Sequence, residues 1–264
     1  MTSATVARGD MPLGSHVREA RRRAVRAAVA LTIGMIAGFV FSDQVIDVLR
    51  APIEALAASR DASLNYDSVT GAFELKLKIA LFAGIVLSSP VWIFELFGFV
   101  SPGLTRRERR LTFGFSLAAL ALFAAGSVTG FLLFPHMVEL LATFASAEDS
   151  TILSASYYVD FVMKIVVATG IAFTLPVFMV LLNALGLVSA RTLLRSWRLI
   201  VVAIVVFSAL VTPSADVLSM FLIAVPMAAL FAAALLITHL HDARAVRRAS
   251  VAAVPDPVAT PAGV

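Results

Sequence analysis

A basic segment between two long apolar stretches carries the charged side chains that are best placed to recognise a ligand. Residues 101–110 contain four arginines around a single carboxylate, that of Glu108. Pro102 and Gly103 in this segment end the apolar helix that precedes them. If the apolar stretches cross a membrane, the arginines keep this loop on the cytoplasmic side. Glu108 is then an anion that a cationic segment can reach, although the simpler interpretation is a solvated residue at the start of a helix.

The composition is that of a polytopic membrane protein. Of the 264 residues, 60% are hydrophobic and 14% are charged, whereas soluble domains have about 45–50% apolar and about 25% charged residues. The net charge of +4 comes from arginines at the ends of apolar stretches, which is typical of membrane orientation rather than of nucleic-acid binding. Cysteine is absent, so disulfides, thiolate metal sites and cysteine nucleophiles are excluded.

The lengths of the apolar stretches predict an all-α protein with six transmembrane helices. The predicted spans are residues 25–41, 72–99, 111–134, 159–185, 199–211 and 217–240. A crossing needs about 20 residues, and short spans such as 199–211 favour a thin, concave bundle over a narrow pore. Residues 1–13 are predicted to be a flexible N-terminus, residues 14–241 the membrane domain, and residues 242–264 a disordered tail.

The distribution of basic residues predicts how the bundle is oriented. Sixteen arginines precede or enter the first span, follow the last one, or lie in the loops 101–110 and 187–198. The basic residues assigned to the other side are Arg50, Arg60, Lys76, Lys78 and Lys164. Because positive charges favour the cytoplasmic side, both termini are predicted to lie in the cytoplasm, and the protein in the cytoplasmic membrane.

Local patterns predict several details within this arrangement. Proline lacks an N–H group, so Ser88-Ser89-Pro90 should bend the second span. Glu74 with Lys78 and Asp160 with Lys164 are one helical turn apart and are expected to pair. Close packing of the third span is indicated by its small residues, Gly114, Ser116, Gly126, Ser127 and Gly130. A short helix lying on the membrane is indicated in the loop 42–71 by an apolar patch, Ile46, Leu49, Ile53 and Leu56.

No constellation of side chains indicates catalysis or a bound cofactor. The four histidines are scattered, and there is no H-E-x-x-H zinc motif, nucleophile elbow or glycine-rich phosphate loop. We therefore expect neither an enzyme nor a metalloprotein. A permease for a small solute is the alternative function. It predicts an inverted repeat around a polar site at the middle of the membrane, and no convincing repeat is visible.

Seven short motifs occur in the order that is typical of one membrane-protein family. Residues 15–23 are similar to H-L-x-E-L-R-x-R, residues 87–91 to S-x-P-V, and residues 99–110 to F-x-x-P-G-L-x-x-x-E-R-R. The other matching positions are Ala51-Pro52, Leu122 to Gly126, Phe134-Pro135, Thr212-Pro213, Asp216, Ser219 and Ala224 to Met227. Over residues 11–240 the chain resembles TatC, the multi-spanning receptor of the twin-arginine protein translocase.

The resemblance implies a receptor that takes part in exporting folded proteins with the proton motive force. The two glutamates with which the family recognises the paired arginines of a signal peptide correspond to Glu19 and Glu108. Leu104 belongs to the same implied site, and Arg21 and Arg109 are expected to hold the carboxylates in place. Carboxylates suit this task because a guanidinium is always charged and presents a planar fork of donors.

The resemblance also implies partners and structural positions. Single-span subunits of the TatA/TatB type are expected to dock on the later spans, where Met220 is a candidate contact. The other implied partners are twin-arginine signal peptides, the lipid bilayer and further copies of the chain, but not nucleic acid. The implied structural positions are Pro52, Phe73, Pro90, Phe99, Pro102, Thr212, Pro213 and Asp216.

Two positions leave alternatives open. Glu19 lies one helical turn before Arg23 and can serve merely as its ion-pair partner. Thr174 stands where the family usually has a glutamate, in F-E-x-P, and it can supply a hydrogen bond but no charge. Glu95 or Lys164 can supply the intramembrane charge in its place.

Overall fold

The computed structural model describes residues 13–57, 62–66, 68–99, 106–142, 151–212 and 217–252. These parts of the chain form helices and two short strands, in the order α1 (Leu13–Val40), α2 (Ser42–Ala57), β1 (Ala62–Asn65), α3 (Gly71–Leu87), α4 (Ser89–Phe99), α5 (Arg106–Ala142), β2 (Thr151–Ser154), α6 (Ala155–Ala184), α7 (Ala190–Arg195), α8 (Trp197–Val211) and α9 (Val217–Ala252). Helices dominate, as the all-α prediction requires. Four predicted positions lie outside the described residues: Pro102, Leu104, Pro213 and Asp216.

The long helices are apolar enough to cross a membrane. Among the described residues, four single helices meet this description, within α1, α5, α6 and α9. Helices α3 and α4 together form a further candidate span, which is bent by 54° at its break. Helix α8 is also apolar but has only 15 residues, fewer than the roughly 20 that a crossing needs. The described helices thus form a multi-pass membrane bundle in which α8, the predicted fifth span, is short.

The bend between α3 and α4 lies at the predicted position, where Pro90 has no N–H for the helical ladder. Side chains compensate in part. The indole Nε1 of Trp92 donates to the carbonyl oxygen of Ile85 at 3.0 Å, and the hydroxyl of Ser88 donates to the same oxygen at 3.4 Å. The bend is thus stabilised by hydrogen bonds of its own, and it redirects α4 towards α1.

In two pairs of antiparallel helices, the backbones of the two helices lie in direct contact. A methyl group on Gly34 of α1 would come within 2.8 Å of the carbonyl oxygen of Gly84 in α3. A methyl group on Gly126 of α5 would come within 2.6 Å of the carbonyl oxygen of Thr169 in α6. Residues without a Cβ let helices approach this closely. The packing role predicted for Gly126 is therefore confirmed, whereas Gly114 has nothing within 4 Å of the equivalent point.

At one end of the bundle, the connection between α2 and α3 contacts the connection between α5 and α6. Strands β1 and β2 pair in parallel, with Ala62 opposite Thr151, a long-range pairing that no local pattern in the sequence predicts. The apolar face of α2 does not simply lie on the membrane as expected. Its residues Ile46 and Leu49 are buried and pack against core residues of α6 such as Tyr158. The helix itself is confirmed, but the described part of its apolar face rests on protein.

The opposite end of the bundle carries the starts of α1, α5 and α7 and the ends of α4, α6 and α9. The antiparallel packing of α1 with α3 and of α5 with α6 fixes this. Asp242, near the end of α9, is hydrogen-bonded to the backbone of Ala190 at the start of α7. We call this end the arginine-rich end, because the arginines of residues 18–26, 106–110, 191–198 and 244–248 belong to it.

Two helices continue past their predicted limits. Helix α5 runs through Pro135 to Ala142 instead of ending at the proline. Helix α9 runs to Ala252, so residues 242–252 of the expected tail continue the last helix. At the arginine-rich end this helix therefore extends beyond its apolar segment, which ends at Ala243.

Candidate functional site

A chain of four alternating charges joins α1 to α4 at the arginine-rich end. The guanidinium of Arg23 donates from Nε and Nη2 to Oε1 of Glu19, at 3.0 and 2.7 Å. Its Nη1 donates to Oε2 of Glu95 at 3.0 Å. The other carboxylate oxygen of Glu95 accepts a hydrogen bond from Nη1 of Arg26 at 3.1 Å. We call these four residues the charge network. Its two positive and two negative charges balance.

The charge network is partly shielded from solvent. The exposed fraction of the side chain is 27% for Glu19, 25% for Arg23 and 16% for Glu95. Ion pairs at this depth are less screened than those of a fully exposed surface. A methyl group on Gly98 of α4 would collide with Nη1 of Arg23. The missing side chain at Gly98 therefore gives the guanidinium room to lie against α4.

The first predicted receptor carboxylate, Glu19, belongs to this network. Residues four apart on a helix face the same side, and Arg23 is the arginine that contacts Glu19. Arg21, which we expected to hold Glu19, is exposed. Its spacing of two residues places it on another side of α1, so the helical period already favours Arg23. The pairing of Glu19 with Arg23 agrees with the alternative in which Glu19 serves as the ion-pair partner of this arginine.

The second predicted carboxylate, Glu108, lies in the first turn of α5. Unpaired backbone N–H groups in the first turn of a helix favour a negative side chain. The side chains of Glu108 and Arg109 lie outside the described part of the structure. Helix α5 packs antiparallel to α4, with the rings of Phe94 and Phe113 5.4 Å apart. The start of α5 therefore lies at the same end of the bundle as the charge network.

A second polar cluster fixes the loop before α7 at this end. Asp242 accepts hydrogen bonds from the backbone N–H of Ala190 at 2.9 Å and from the side-chain amide of Asn183 at 3.2 Å. The same amide nitrogen donates to the carbonyl oxygen of Val188 at 3.0 Å. Gly186, with a φ of 73°, has the left-handed backbone that ends many helices. These contacts are internal, and they hold α7 against α9.

The remaining predicted positions that the structure describes are not members of the charge network. Phe73 of α3 packs edge-on against Phe39 of α1, with ring centroids 6.4 Å apart. Phe99 is the last residue of α4. Thr212 is buried, and its hydroxyl donates to the carbonyl oxygen of Ser208 at 2.8 Å. Pro52 lies in α2 and Met220, half-buried, in α9.

Thr174 and the two candidate intramembrane charges, Lys164 and Glu95, all have partners within the protein. Thr174 is 8% exposed, and its hydroxyl donates to the carbonyl oxygen of Ile171 in its own helix at 2.7 Å. Lys164 forms an ion pair with Asp160 at 2.5 Å, as predicted, and Glu95 belongs to the charge network. Within the described residues, no group of three or more His, Asp or Glu side chains is arranged to hold a metal ion.

The basic side chains assigned to the opposite half of the bundle also have acidic partners. This holds for each of those that the structure describes: Lys76 with Asp43 at 2.8 Å, Lys78 with Glu74 at 3.0 Å, Arg50 with Asp47 at 3.7 Å, and Lys164 with Asp160. The predicted pair of Glu74 and Lys78 is thus confirmed. Local neutralisation there leaves the positive charge of the protein concentrated at the arginine-rich end.

Comparison with known proteins agrees with the resemblance found in the motifs. Residues 15–226 match the family of the Sec-independent protein translocase protein (TatC). The Sec-independent protein translocase protein TatC of Xylanimonas cellulosilytica is 38% identical over 248 residues, which cover 93% of this chain and 90% of the relative. The corresponding protein of Rothia mucilaginosa is 36% identical, with coverages of 90% and 82%.

Two solved structures have the same fold. A crystal structure of the twin arginine translocase receptor TatC is 28% identical, with a TM-score of 0.74, and the match covers 85% of this chain and 98% of the solved one. For a crystal structure of the same receptor in DDM, the TM-score is 0.76 and the coverages are 84% and 99%. By its sequence and its fold, this chain belongs to the TatC family of Sec-independent protein translocase proteins, multi-pass membrane subunits that are not enzymes.

Proposed function

We propose that this protein is the signal-peptide receptor and core subunit of a twin-arginine translocase, which exports folded proteins across the cytoplasmic membrane with the proton motive force. Family membership supports the translocase role. The observation that carries the receptor role is the carboxylate of Glu19, which already binds a guanidinium through two N–H groups at the arginine-rich end. An arginine of a signal peptide needs a carboxylate in the same kind of contact.

In this proposal, Glu19 and Glu108 together bind the two consecutive arginines, and Leu104 and Arg109 complete the site. A hydrogen bond to a charged group contributes about 1.5–3 kcal/mol, and an exposed ion pair less than about 1 kcal/mol. Glu19 has an exposed fraction of 27%, so its contribution is expected between these limits. Two such contacts, on α1 and α5, select a pair of arginines over a single one.

The test is the affinity of a fluorescent twin-arginine peptide for the purified full chain in lipid nanodiscs. Glu19→Gln and Glu108→Gln are each expected to weaken binding by about tenfold, corresponding to about 1.4 kcal/mol. The matched control is Glu74→Gln, which removes an exposed, ion-paired carboxylate in the opposite half of the bundle. It should leave the affinity unchanged. Wild-type affinity in both Glu19→Gln and Glu108→Gln would show that these carboxylates do not read the signal peptide.

The orientation of the chain is part of the proposal, with both termini in the cytoplasm and six spans, α8 being the fifth. The neutralised charges of the opposite half support this orientation, because unpaired positive charge favours the cytoplasmic side. The chain contains no cysteine, so a single introduced thiol gives a clean signal. A membrane-impermeant maleimide should label Val69→Cys in intact cells, and Arg22→Cys only after permeabilisation. The reverse pattern would overturn the proposed orientation.

The proposed partners are single-span subunits of the TatA/TatB type, which would dock on α8 and α9, and further copies of the chain. The exposed ring of Phe221 on α9, beside Met220, supports such a docking surface. A photo-crosslinking residue in place of Phe221 is expected to capture a small single-span protein. The control is the same residue in place of Phe113, which is similarly exposed on α5. Equal capture at both positions would contradict a specific contact on α9.

A further inference from the structure

We propose that Arg23 occupies the receptor carboxylate in the free protein, and that Glu95 is the positioning residue that retains Arg23 when a cargo arginine binds Glu19. This inference rests on the proposed function of Glu19. It concerns the step before recognition, because a carboxylate that already binds one guanidinium has to release it before it can bind another in the same way.

The geometry of Arg23 allows such an exchange without leaving a charge unpaired. Its Nε and Nη2 face Glu19, whereas Nη1 faces Glu95 on the other helix. A guanidinium carries five N–H donors in a fixed fork, so one edge can lose its partner while another keeps its own. When a cargo arginine takes Glu19, Arg23 remains bound to Glu95 through Nη1. The exchange replaces one arginine–carboxylate contact by another of the same kind.

Glu95 is suited to hold Arg23 because α4 fixes its position independently of α1. It is the least exposed carboxylate of the charge network, at 16%, and it follows the bend that directs α4 towards α1. Gly98, about one helical turn after Glu95 in α4, leaves the space that the guanidinium of Arg23 fills. Arg26, which is 59% exposed, binds the other carboxylate oxygen of Glu95. Glu95 therefore has a second cationic partner while Arg23 is also bound to Glu19.

The removal of Arg23 should therefore strengthen cargo binding. In the peptide assay on the full chain in nanodiscs, Arg23→Gln is expected to bind the twin-arginine peptide about fivefold more tightly than Arg22→Gln does. Arg22 is the matched control, because it is the exposed neighbour on the same helix and its removal changes the net charge equally. Arg23→Lys should lie between wild type and Arg23→Gln, since an ammonium has no fork with which to span two carboxylates.

Glu95 should act only through Arg23. Glu95→Gln is expected to weaken peptide binding severalfold in the wild-type background, because Arg23 then rests on Glu19 alone. In the Arg23→Gln background the same change should have no effect, which is the signature of two coupled residues in a double-mutant cycle. A mere structural role of Glu95 would lower stability and binding in both backgrounds. Thermal unfolding of each variant gives the stability, and a misfolded variant cannot produce the tighter binding expected for Arg23→Gln.

The outcomes separate this inference from the function on which it rests. If Glu19→Gln and Glu108→Gln weaken binding but Arg23→Gln binds no more tightly than Arg22→Gln, the exchange is wrong and the receptor site stands. Equal weakening by Glu95→Gln in both backgrounds would also overturn the exchange, because Glu95 would then act on the peptide directly or through its charge alone. If Glu19→Gln and Glu108→Gln both bind the peptide as wild type does, both proposals are wrong.

Discussion

The hydroxyl of Tyr158 donates a hydrogen bond to the backbone carbonyl of Leu49, with the two oxygens 2.9 Å apart. Both residues are buried, at 4% and 2% exposure. The bond joins the start of α6 to α2, the helix of the first long loop. It therefore connects the membrane-spanning helix α6 to α2, at the end of the bundle opposite the charge network.

Tyr158→Phe is expected to lower the free energy of unfolding by about 1–2 kcal/mol, because the buried carbonyl of Leu49 loses this side-chain donor while the ring keeps its packing. Tyr157→Phe is the matched control, since Tyr157 is adjacent in sequence and 58% exposed. Thermal unfolding of both variants in the same detergent measures the difference. An equal effect of the two substitutions would mean that the buried hydrogen bond adds nothing to stability.

The close packing of α5 on α6 gives a second prediction. Gly126→Ala places a methyl group 2.6 Å from the carbonyl oxygen of Thr169, a backbone atom that cannot turn away, so the helices must separate. The expected cost is about 1–3 kcal/mol. Gly114→Ala makes the same change on the same helix where nothing lies within 4 Å. It should be neutral or slightly stabilising, because alanine favours a helix more than glycine does.

Unfolding of the purified variants under identical conditions compares the two glycines. A loss of stability in Gly126→Ala together with none in Gly114→Ala would confirm that the crossing of α5 and α6 needs the missing side chain. Equal stability of the two variants would show that the helices adjust without cost, and would contradict the close approach.

The features that the sequence predicted correctly depend on short-range relationships. Pro90 marks the bend, Gly126 a close helix crossing, and Asp160 with Lys164 an ion pair one turn apart. Each of these follows from the period of a single helix or from the chemistry of one residue. Helix type and approximate position follow in the same way from the lengths of the apolar stretches.

The features that the sequence analysis missed join residues that are distant in sequence. By sequence, Glu95 is only a candidate intramembrane charge, because its partners Arg23 and Arg26 lie on another helix and no local pattern relates the three residues. The pairing of β1 with β2 and the hydrogen bond from Tyr158 to Leu49 have the same character. The pairing of Glu19 with Arg23 rather than with Arg21 can be predicted from the sequence, because only Arg23 lies one helical turn from Glu19.

The contact of Asp242 with Ala190 gives a third prediction. Asp242→Ala leaves the N–H of Ala190 and the amide of Asn183 without this acceptor, so the start of α7 should open more often. We expect hydrogen exchange at the amide of Ala190 to become about tenfold faster, equivalent to about 1.4 kcal/mol of local stability. Asp242→Asn keeps one acceptor oxygen and should show a smaller effect.

Hydrogen exchange followed by mass spectrometry measures the peptide that contains Ala190. The control peptide comes from the middle of α6, where exchange should be the same in the wild type and both variants. Unchanged exchange at Ala190 in Asp242→Ala would show that the loop is held by other contacts, such as the hydrogen bond between Asn183 and Val188.

The hydrogen bonds at the bend between α3 and α4 give the last prediction. Trp92→Phe removes the N–H that donates to the carbonyl oxygen of Ile85, while a ring remains to pack against Phe123, whose centroid lies 5.4 Å from that of Trp92. The Ile85 oxygen then keeps only the longer contact with Ser88. The free energy of unfolding should fall by about 1 kcal/mol, and amide exchange should rise in the residues that follow the bend. Trp197→Phe, at an exposed position on α8, is the control and should change neither quantity.

The same substitution should also affect peptide binding. Because α4 carries Glu95, a looser bend should weaken the hold of Glu95 on Arg23. The peptide affinity of Trp92→Phe should therefore shift in the same direction as that of Glu95→Gln. A shift in the opposite direction, with the stability loss present, would show that the bend does not position Glu95.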